Sequence, residues 1–411
     1  MTLRRRVLGA VALGALLLAA CSGATHGTAK SPPPHPDDTS SSPAARPPRG
    51  AVSSALFAST TDGVWMYGGV TGRPEHWKAN NTATLYKADG SIKTTVALPI
   101  PAGRFLFYGS LVARPGDDPI VVGDTCVVPS SENPGCNAAA TTVVFALRPA
   151  GATAIKVPAA LRRVVGSGPG AGLSYGVGAS GDRVMIVREV ADGPEPGLTS
   201  TLAAYLLDPR SGRATSVDLP TGVLTAQSVC GDGMNLFAII PHLDAERQLE
   251  GVAIDRSGDA GKTWEQLTLL TDLKTRILSG GRMTCLSGSL ILEADATPSE
   301  LVAVNSESGA QEGASIQVGS PISSIATSVD GTELVVAGAP LNDQPAGTDP
   351  HVVMTDYVTF TAKDGWRPLG TKRRAAADDP PHALVVGHVV IDASSRARHP
   401  SNQSPFPAIT G

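Results

Sequence analysis

The sequence predicts an all-β fold, a β-propeller in which seven blades are favoured over six. Three observations carry that expectation. The first is a unit of strand, tight glycine turn and strand that recurs seven times. Its turns lie at Asp62-Gly63, Gly116-Asp117, Gly181-Asp182, Gly231-Asp232-Gly233, Ser287-Gly288, Asp330-Gly331 and Gly387. The second is a longer outer turn that recurs six times, at Gly90, Gly151, Gly212, Gly261, Gly309 and Gly365, in steps of 48 to 61 residues. A four-stranded blade needs about 40–50 residues, so the steps fit blades with some long loops. The third is composition. With 45 Gly, 33 Pro and only 17% charged residues, the 411-residue chain suits many short strands and turns, and 42% hydrophobic content excludes disorder for its bulk.

Seven inner hairpins and six outer ones predict a ring whose last blade begins with Ala383 to Asp392. A strand near Gly50–Ser54 is expected to complete it, removing an exposed sheet edge. The alternative is a six-bladed propeller with an extra C-terminal hairpin. A pair of β-sandwiches does not give this period.

Taken in order, the chain opens with a segment that addresses it. Arg4-Arg5-Arg6 is a positive n-region, and Val7 to Ala20 is an apolar run too short to span a bilayer comfortably. It ends in Leu18-Ala19-Ala20-Cys21, which resembles a bacterial lipobox. That resemblance implies a lipoprotein signal peptide over residues 1–20. Cys21 then becomes the diacylglycerol-modified, palmitate-bearing first residue of the mature protein. The arginines fit both general and twin-arginine export. Residues 21–50 read as a lipid anchor and disordered tether, rich in Pro, Ser and Thr and containing Ser31-Pro32-Pro33-Pro34 and Arg46-Pro47-Pro48-Arg49. The propeller is expected over 51–395, and a disordered tail over 396–411. The expected location is the extracytoplasmic face of a bacterial membrane.

Five cysteines sort on that basis. With Cys21 assigned to lipid, an even number remains for an oxidising compartment. Cys126 and Cys136 bracket a loop between strands and are expected to close it. Cys230 and Cys285 each stand three residues before the glycine of an inner turn, Gly233 and Gly288. That shared offset puts them at matching height on the innermost strands of consecutive blades. The alternative for each is a free thiol. No Cys-x-x-Cys or clustered His points to a metal.

The stretch Ser257-Gly258-Asp259-Ala260-Gly261-Lys262-Thr263-Trp264 is a tight turn between strands. Asp259 can accept from nearby backbone N–H groups, Gly261 can take positive φ, and Trp264 can bury its ring under the turn. It resembles the Asp box, Ser-x-Asp-x-Gly-x-Thr-Trp, of sialidase-type (BNR-repeat) β-propellers, with all five fixed positions present as Ser257, Asp259, Gly261, Thr263 and Trp264. In that family the box caps the hairpin between the two outer strands of a blade, away from the active site. It therefore implies architecture rather than chemistry.

The catalytic apparatus of that family does not carry over. It needs three arginines, a Tyr–Glu nucleophile pair, an acid/base Asp and an Arg-Ile-Pro motif. No Arg-Ile-Pro occurs, and Arg73-Pro74 and Arg104-Phe105 are its nearest approximations. Asp117-Asp118, Asp378-Asp379 and Lys372-Arg373-Arg374 read as solvated loop charges. Trp65 and His76-Trp77 read either as core or as sugar-stacking groups. No catalytic, cofactor or metal residue is assigned. A net charge of −4 excludes a general attraction for nucleic acid. The expected activity is therefore non-enzymatic: a lipid-anchored binding or scaffold module for an envelope protein or glycan. The alternative is a divergent Asp-box glycoside hydrolase.

Overall fold

The structure is a computed structural model. It describes residues 56–392 apart from internal breaks, the longer of which are 72–77, 128–140, 162–174, 192–199, 272–281, 340–351 and 376–382. All described residues belong to one unit, Pro48–Gly411. The first blade contains β1 (Leu56–Thr60) and β2 (Gly63–Tyr67). A small side ribbon follows, β3 (Val70–Thr71) with β4 (Lys78–Ala79), before β5 (Thr82–Tyr86) and β6 (Ile92–Ala97) complete the blade. The second holds β7 (Arg104–Arg114), β8 (Asp117–Val127), β9 (Thr141–Arg148) and β10 (Gly151–Ala154). The third holds β11 (Tyr175–Ser180), β12 (Arg183–Ala191), β13 (Ser200–Asp208) and β14 (Arg213–Val217). In the fourth, a short 3-10 turn (Ala226–Ser228) leads into β15 (Val229–Asp232), followed by β16 (Asn235–Leu243), β17 (Leu249–Ser257) and β18 (Glu265–Leu270).

The fifth and sixth blades share a strand. β19 (Arg282–Leu286), β20 (Ser289–Ala294) and β21 (Ser299–Asn305) are closed by the first three residues of β22 (Ile316–Thr327). The remainder of β22 is the inner strand of the sixth blade, with β23 (Glu333–Ala339), β24 (Val352–Thr361) and β25 (Gly365–Ala375). The last element is a hairpin of β26 (Ala383–Val386) and β27 (Val389–Asp392). Every pairing is antiparallel, in meander order.

Strand alternation explains why these elements stack. Along β12, Val184 and Ile186 join the apolar cluster with the second blade, while Met185 and Val187 join the cluster with the fourth. The same division holds along β2, where Trp65 and Tyr67 face the second blade while Val64 and Met66 face the C-terminal hairpin. It holds again along β20 and β23. A period of two on strands buried from both sides gives continuous apolar runs with two different neighbours. Each such side chain contributes about 1.5–3 kcal/mol on full burial. Trp65 is 2% exposed, so the core reading holds and the sugar-stacking one does not.

Among the described residues there are six four-stranded blades, and the expectation of seven is corrected. At the last position the described residues supply two paired strands. The hairpin is wedged between the sixth and first blades: Ala383, Val385 and Val390 pack on Val335, Tyr357 and Leu369, while Leu384, Val386 and Ile391 pack on Val64, Met66 and Tyr86. Neighbours on both faces bury the two strands, so the hairpin stabilises the seam between these blades. The strand expected near 50–54 lies outside the described residues.

Candidate functional site

The turn between β17 and β18 closes through its own side chains. Ser257 Oγ donates to Asp259 Oδ1 at 2.8 Å and accepts from the Gly261 amide at 2.8 Å. The amides of Lys262 and Thr263 donate to Asp259 Oδ1 at 3.0 and 2.9 Å, and Thr263 Oγ1 donates to Oδ2 at 2.7 Å. The Thr263 hydroxyl and amide, ahead of the Ser257 hydroxyl, hold the Asp259 carboxyl well below the usual carboxylate range. Gly261 has φ +85°, and a Cβ there would stand 2.4 Å from Val217 Cγ1 on the outer strand of the preceding blade. Trp264 donates its Nε1–H to Asp218 O at 2.6 Å and joins the apolar cluster containing Val217. The turn therefore ties the fourth blade to the third.

Equivalent clamps close other hairpins with different residues. Asp208 accepts from the Arg210 amide and the Ser211 hydroxyl, Asn305 from the Glu307 and Ser308 amides, and Asp89 from the Ser91 amide and hydroxyl. On an inner turn, Ser328, Asp330 and Thr332 repeat the Ser257–Asp259–Thr263 pattern: Ser328 Oγ and Thr332 Oγ1 both donate to Asp330 Oδ1.

The blades surround a cavity of about 490 Å³ on the ring axis. Its wall is made of the inner strands β1, β7, β11, β15, β19 and β22, with β26 of the hairpin. β1, β7, β11, β15 and β19 end their sheets, β26 belongs to a two-stranded one, and β22 beyond Val318 pairs only with β23, so among the described residues the axial edges of these stretches have no strand partner. At one mouth the inner turns bond from blade to blade. Ser180 Oγ donates to Gly233 O, the Gly288 amide to Asp232 Oδ2, the Ser287 amide to Gly331 O, and Ser59 Oγ to Thr327 O. Asp232 and Asp330, the carboxylates among the described residues that line the cavity, are thus engaged in holding turns.

Arg282 marks the opposite end, where β19 begins. Its Nε donates to Gln227 Oε1 at 3.1 Å and stands 3.6 Å from Oε2 of its cross-strand neighbour Glu293. Both contacts are made by Nε, and the side chain is about one-third exposed and lines the cavity. Thr284, two residues along the same strand, lines it too. Sequence reasoning missed this group. Nothing in Arg282-Met283-Thr284 says which residues face the axis until the ring is closed.

The other expected positions are distributed as follows. Cys230 and Cys285 form the expected disulfide, with Cα atoms 5.6 Å apart, joining inner strands of the fourth and fifth blades. Cys126 lies on β8 opposite Phe105, but Cys136 lies outside the described residues, and so does their pairing. Cys21 and the tether lie outside them also. Asp118, expected as a solvated loop charge, instead lies near the start of β8 and pairs with Arg148 at 2.5 Å, and Lys372-Arg373-Arg374 lie on β25 rather than in a loop, while Asp378-Asp379 lie outside the described residues. Among the described residues no three His, Cys, Asp or Glu side chains cluster in a way that could hold a metal.

No family model matches the chain, and no curated protein matches it. Among solved structures, the acylaminoacyl peptidase of Pyrococcus horikoshii is similar at 10% identity and a TM-score of 0.44, over 84% of this chain and 48% of that one. The chain thus spans about half the length of that peptidase. Hydrazine synthase of Kuenenia stuttgartiensis is similar at 8% identity and a TM-score of 0.43, over 87% and 95% of the two chains. The Dos1 propeller is similar at 13% identity and a TM-score of 0.37, over 69% and 64%.

Proposed function

We propose that this protein is a lipid-anchored, extracytoplasmic propeller that binds an envelope protein or glycan without chemical turnover. In this reading residues 1–20 export the chain, Cys21 carries the lipid and residues 22–50 hold the propeller off the membrane. Two acyl chains anchor far more firmly than one, because each buried CH₂ contributes about 0.8 kcal/mol. The Asp-box kinship belongs to the proposal as well, supported by the hydrogen-bonded turn at Asp259.

The observation that carries the binding reading is the state of the charged groups around the cavity. Asp232 and Asp330 hold turns, and Arg282 is oriented by Gln227 and Glu293. Such a wall presents fixed donors and strand edges, which suits recognition. Glycoside hydrolysis instead calls for two carboxyl groups facing one substrate. The test is affinity capture from solubilised envelopes with the tethered protein as bait, beside an assay on a fluorogenic sialoside. A specific partner without turnover is expected. Turnover of the sialoside would favour the divergent hydrolase instead.

A further inference from the structure

We infer that the Arg282 end of the axial cavity captures the free carboxylate of an extended polypeptide, with the peptide's main chain following the inner strand edges. The inference rests on the binding reading above and names the chemistry of the partner.

Three side chains that carry donors line that end: Arg282, Gln227 and Thr284. Arg282 is held through Nε alone, by Gln227 Oε1 at 3.1 Å with Glu293 Oε2 at 3.6 Å. Its two Nη groups take part in neither contact, and the residue lines the cavity. A guanidinium fixed at Nε presents the planar fork that takes both oxygens of a carboxylate. Gln227 turns its carbonyl to Arg282, so its amide N–H groups point elsewhere, and the residue lines the same cavity. Thr284 adds a hydroxyl on the same strand. Glu293 offsets the charge of Arg282, so the group selects for geometry, a planar two-oxygen acceptor, more than for net charge.

The remaining wall says what the carboxylate is attached to. From Arg282 to Leu286 the strand runs about 13 Å at about 3.3 Å per residue. Over that length the cavity meets strand edges with unpaired main-chain groups, small residues such as Ala58, Gly178, Gly231 and Ala326, and hydroxyls such as Ser110. Main-chain donors and acceptors in extended register are the natural complement of another extended main chain. A volume of about 490 Å³ is in the range of sites that enclose a short ligand.

The experiment is a calorimetric titration of the purified protein with tetra-alanine as free acid, tetra-alanine amide and D-glucuronate. The free acid is expected to bind, and the amide to bind at least about tenfold more weakly for lack of the charged hydrogen bonds. Arg282→Gln should lose the same factor. Gln227→Glu is the second variant: the residue is exposed, so folding is preserved, yet the change removes the amide donors and adds a negative charge. It too should abolish the preference for the acid. Equal binding of acid and amide, or no binding of the acid at up to about 1 mM, overturns the inference. Binding of glucuronate with the same variant pattern, and not of the peptide acid, assigns the site to an acidic sugar and overturns it as well. Envelope capture separates the two levels. A partner held equally by wild type and R282Q ends this inference and leaves the binding reading standing, whereas no partner for wild type ends that reading.

Discussion

Replacing Gly261 by Ala tests how the blades are held to one another. At φ +85° an L side chain costs about 1–2 kcal/mol. The new Cβ would also meet Val217 Cγ1 at 2.4 Å and Val217 Cβ at 3.2 Å. Val217 is buried and β-branched, so it has little freedom to turn away, and overpacking of this kind costs about 1–3 kcal/mol. The sum is about 2–5 kcal/mol. Gly365→Ala is the matched control: φ is +68°, but nothing lies within 4 Å of its Cβ, so only the backbone cost of about 1–2 kcal/mol applies. Equilibrium urea unfolding of both variants reads the difference, with an unchanged m-value as the check that the same transition is compared. In a Val217→Ala background the Gly261→Ala penalty should shrink, because the clash partner is gone. Equal losses for the two glycine variants, or a penalty independent of Val217, would refute the docking of this turn on the preceding blade.

Three further outcomes are expected. Tyr67, whose hydroxyl donates to Asn81 Oδ1 and accepts from the Leu106 amide, has its pKa pushed up to about 12 by burial, against the opposing effect of that amide. Its stabilising contribution is complete below the ordinary value of 10 and is lost as pH rises towards 12; an alkaline melting series on wild type and Tyr67→Phe should show the loss only in wild type. The carboxyls of Asp259, Asp330 and Asp208 are held below 3.8 chiefly by the hydroxyls of Thr263, Ser328 and Ser211, so their contribution is present above that value and lost as pH falls below it. Asp259→Asn should lower the melting temperature at neutral pH and flatten its fall below pH 3.8. Reducing Cys230–Cys285, which spans 55 residues, should cost about 4 kcal/mol in the loop-entropy account, read as a lower urea midpoint.

The sequence made the blades legible because their glycine turns are local. Gly261, Gly309 and Gly212 keep positive φ at successive outer turns, and each approaches the preceding blade too closely for a Cβ. The Cys230–Cys285 pairing was legible from the same offset within two repeats. Less legible was the substitution of one clamp for another: Asp208, Asn305 and Asp89 do the work of Asp259 from different turn positions, so a fixed motif finds only one of them. The two-stranded last position escaped because a hairpin with apolar residues on both faces reads as the start of a blade whether or not more strands follow. Arg282 escaped for a different reason: its role depends on Gln227, 55 positions earlier, and on a cavity that exists only when all the inner strands surround one axis.

Site-specific photo-crosslinking in intact envelopes tests the central claim, a binding propeller that works through its axial cavity, most directly. A photoreactive residue at Thr284, which lines the cavity, is compared with one at Lys262, exposed on the outer turn. The account predicts one discrete envelope adduct from Thr284, lost with Arg282→Gln, and none from Lys262. An adduct from Lys262 alone would contradict it.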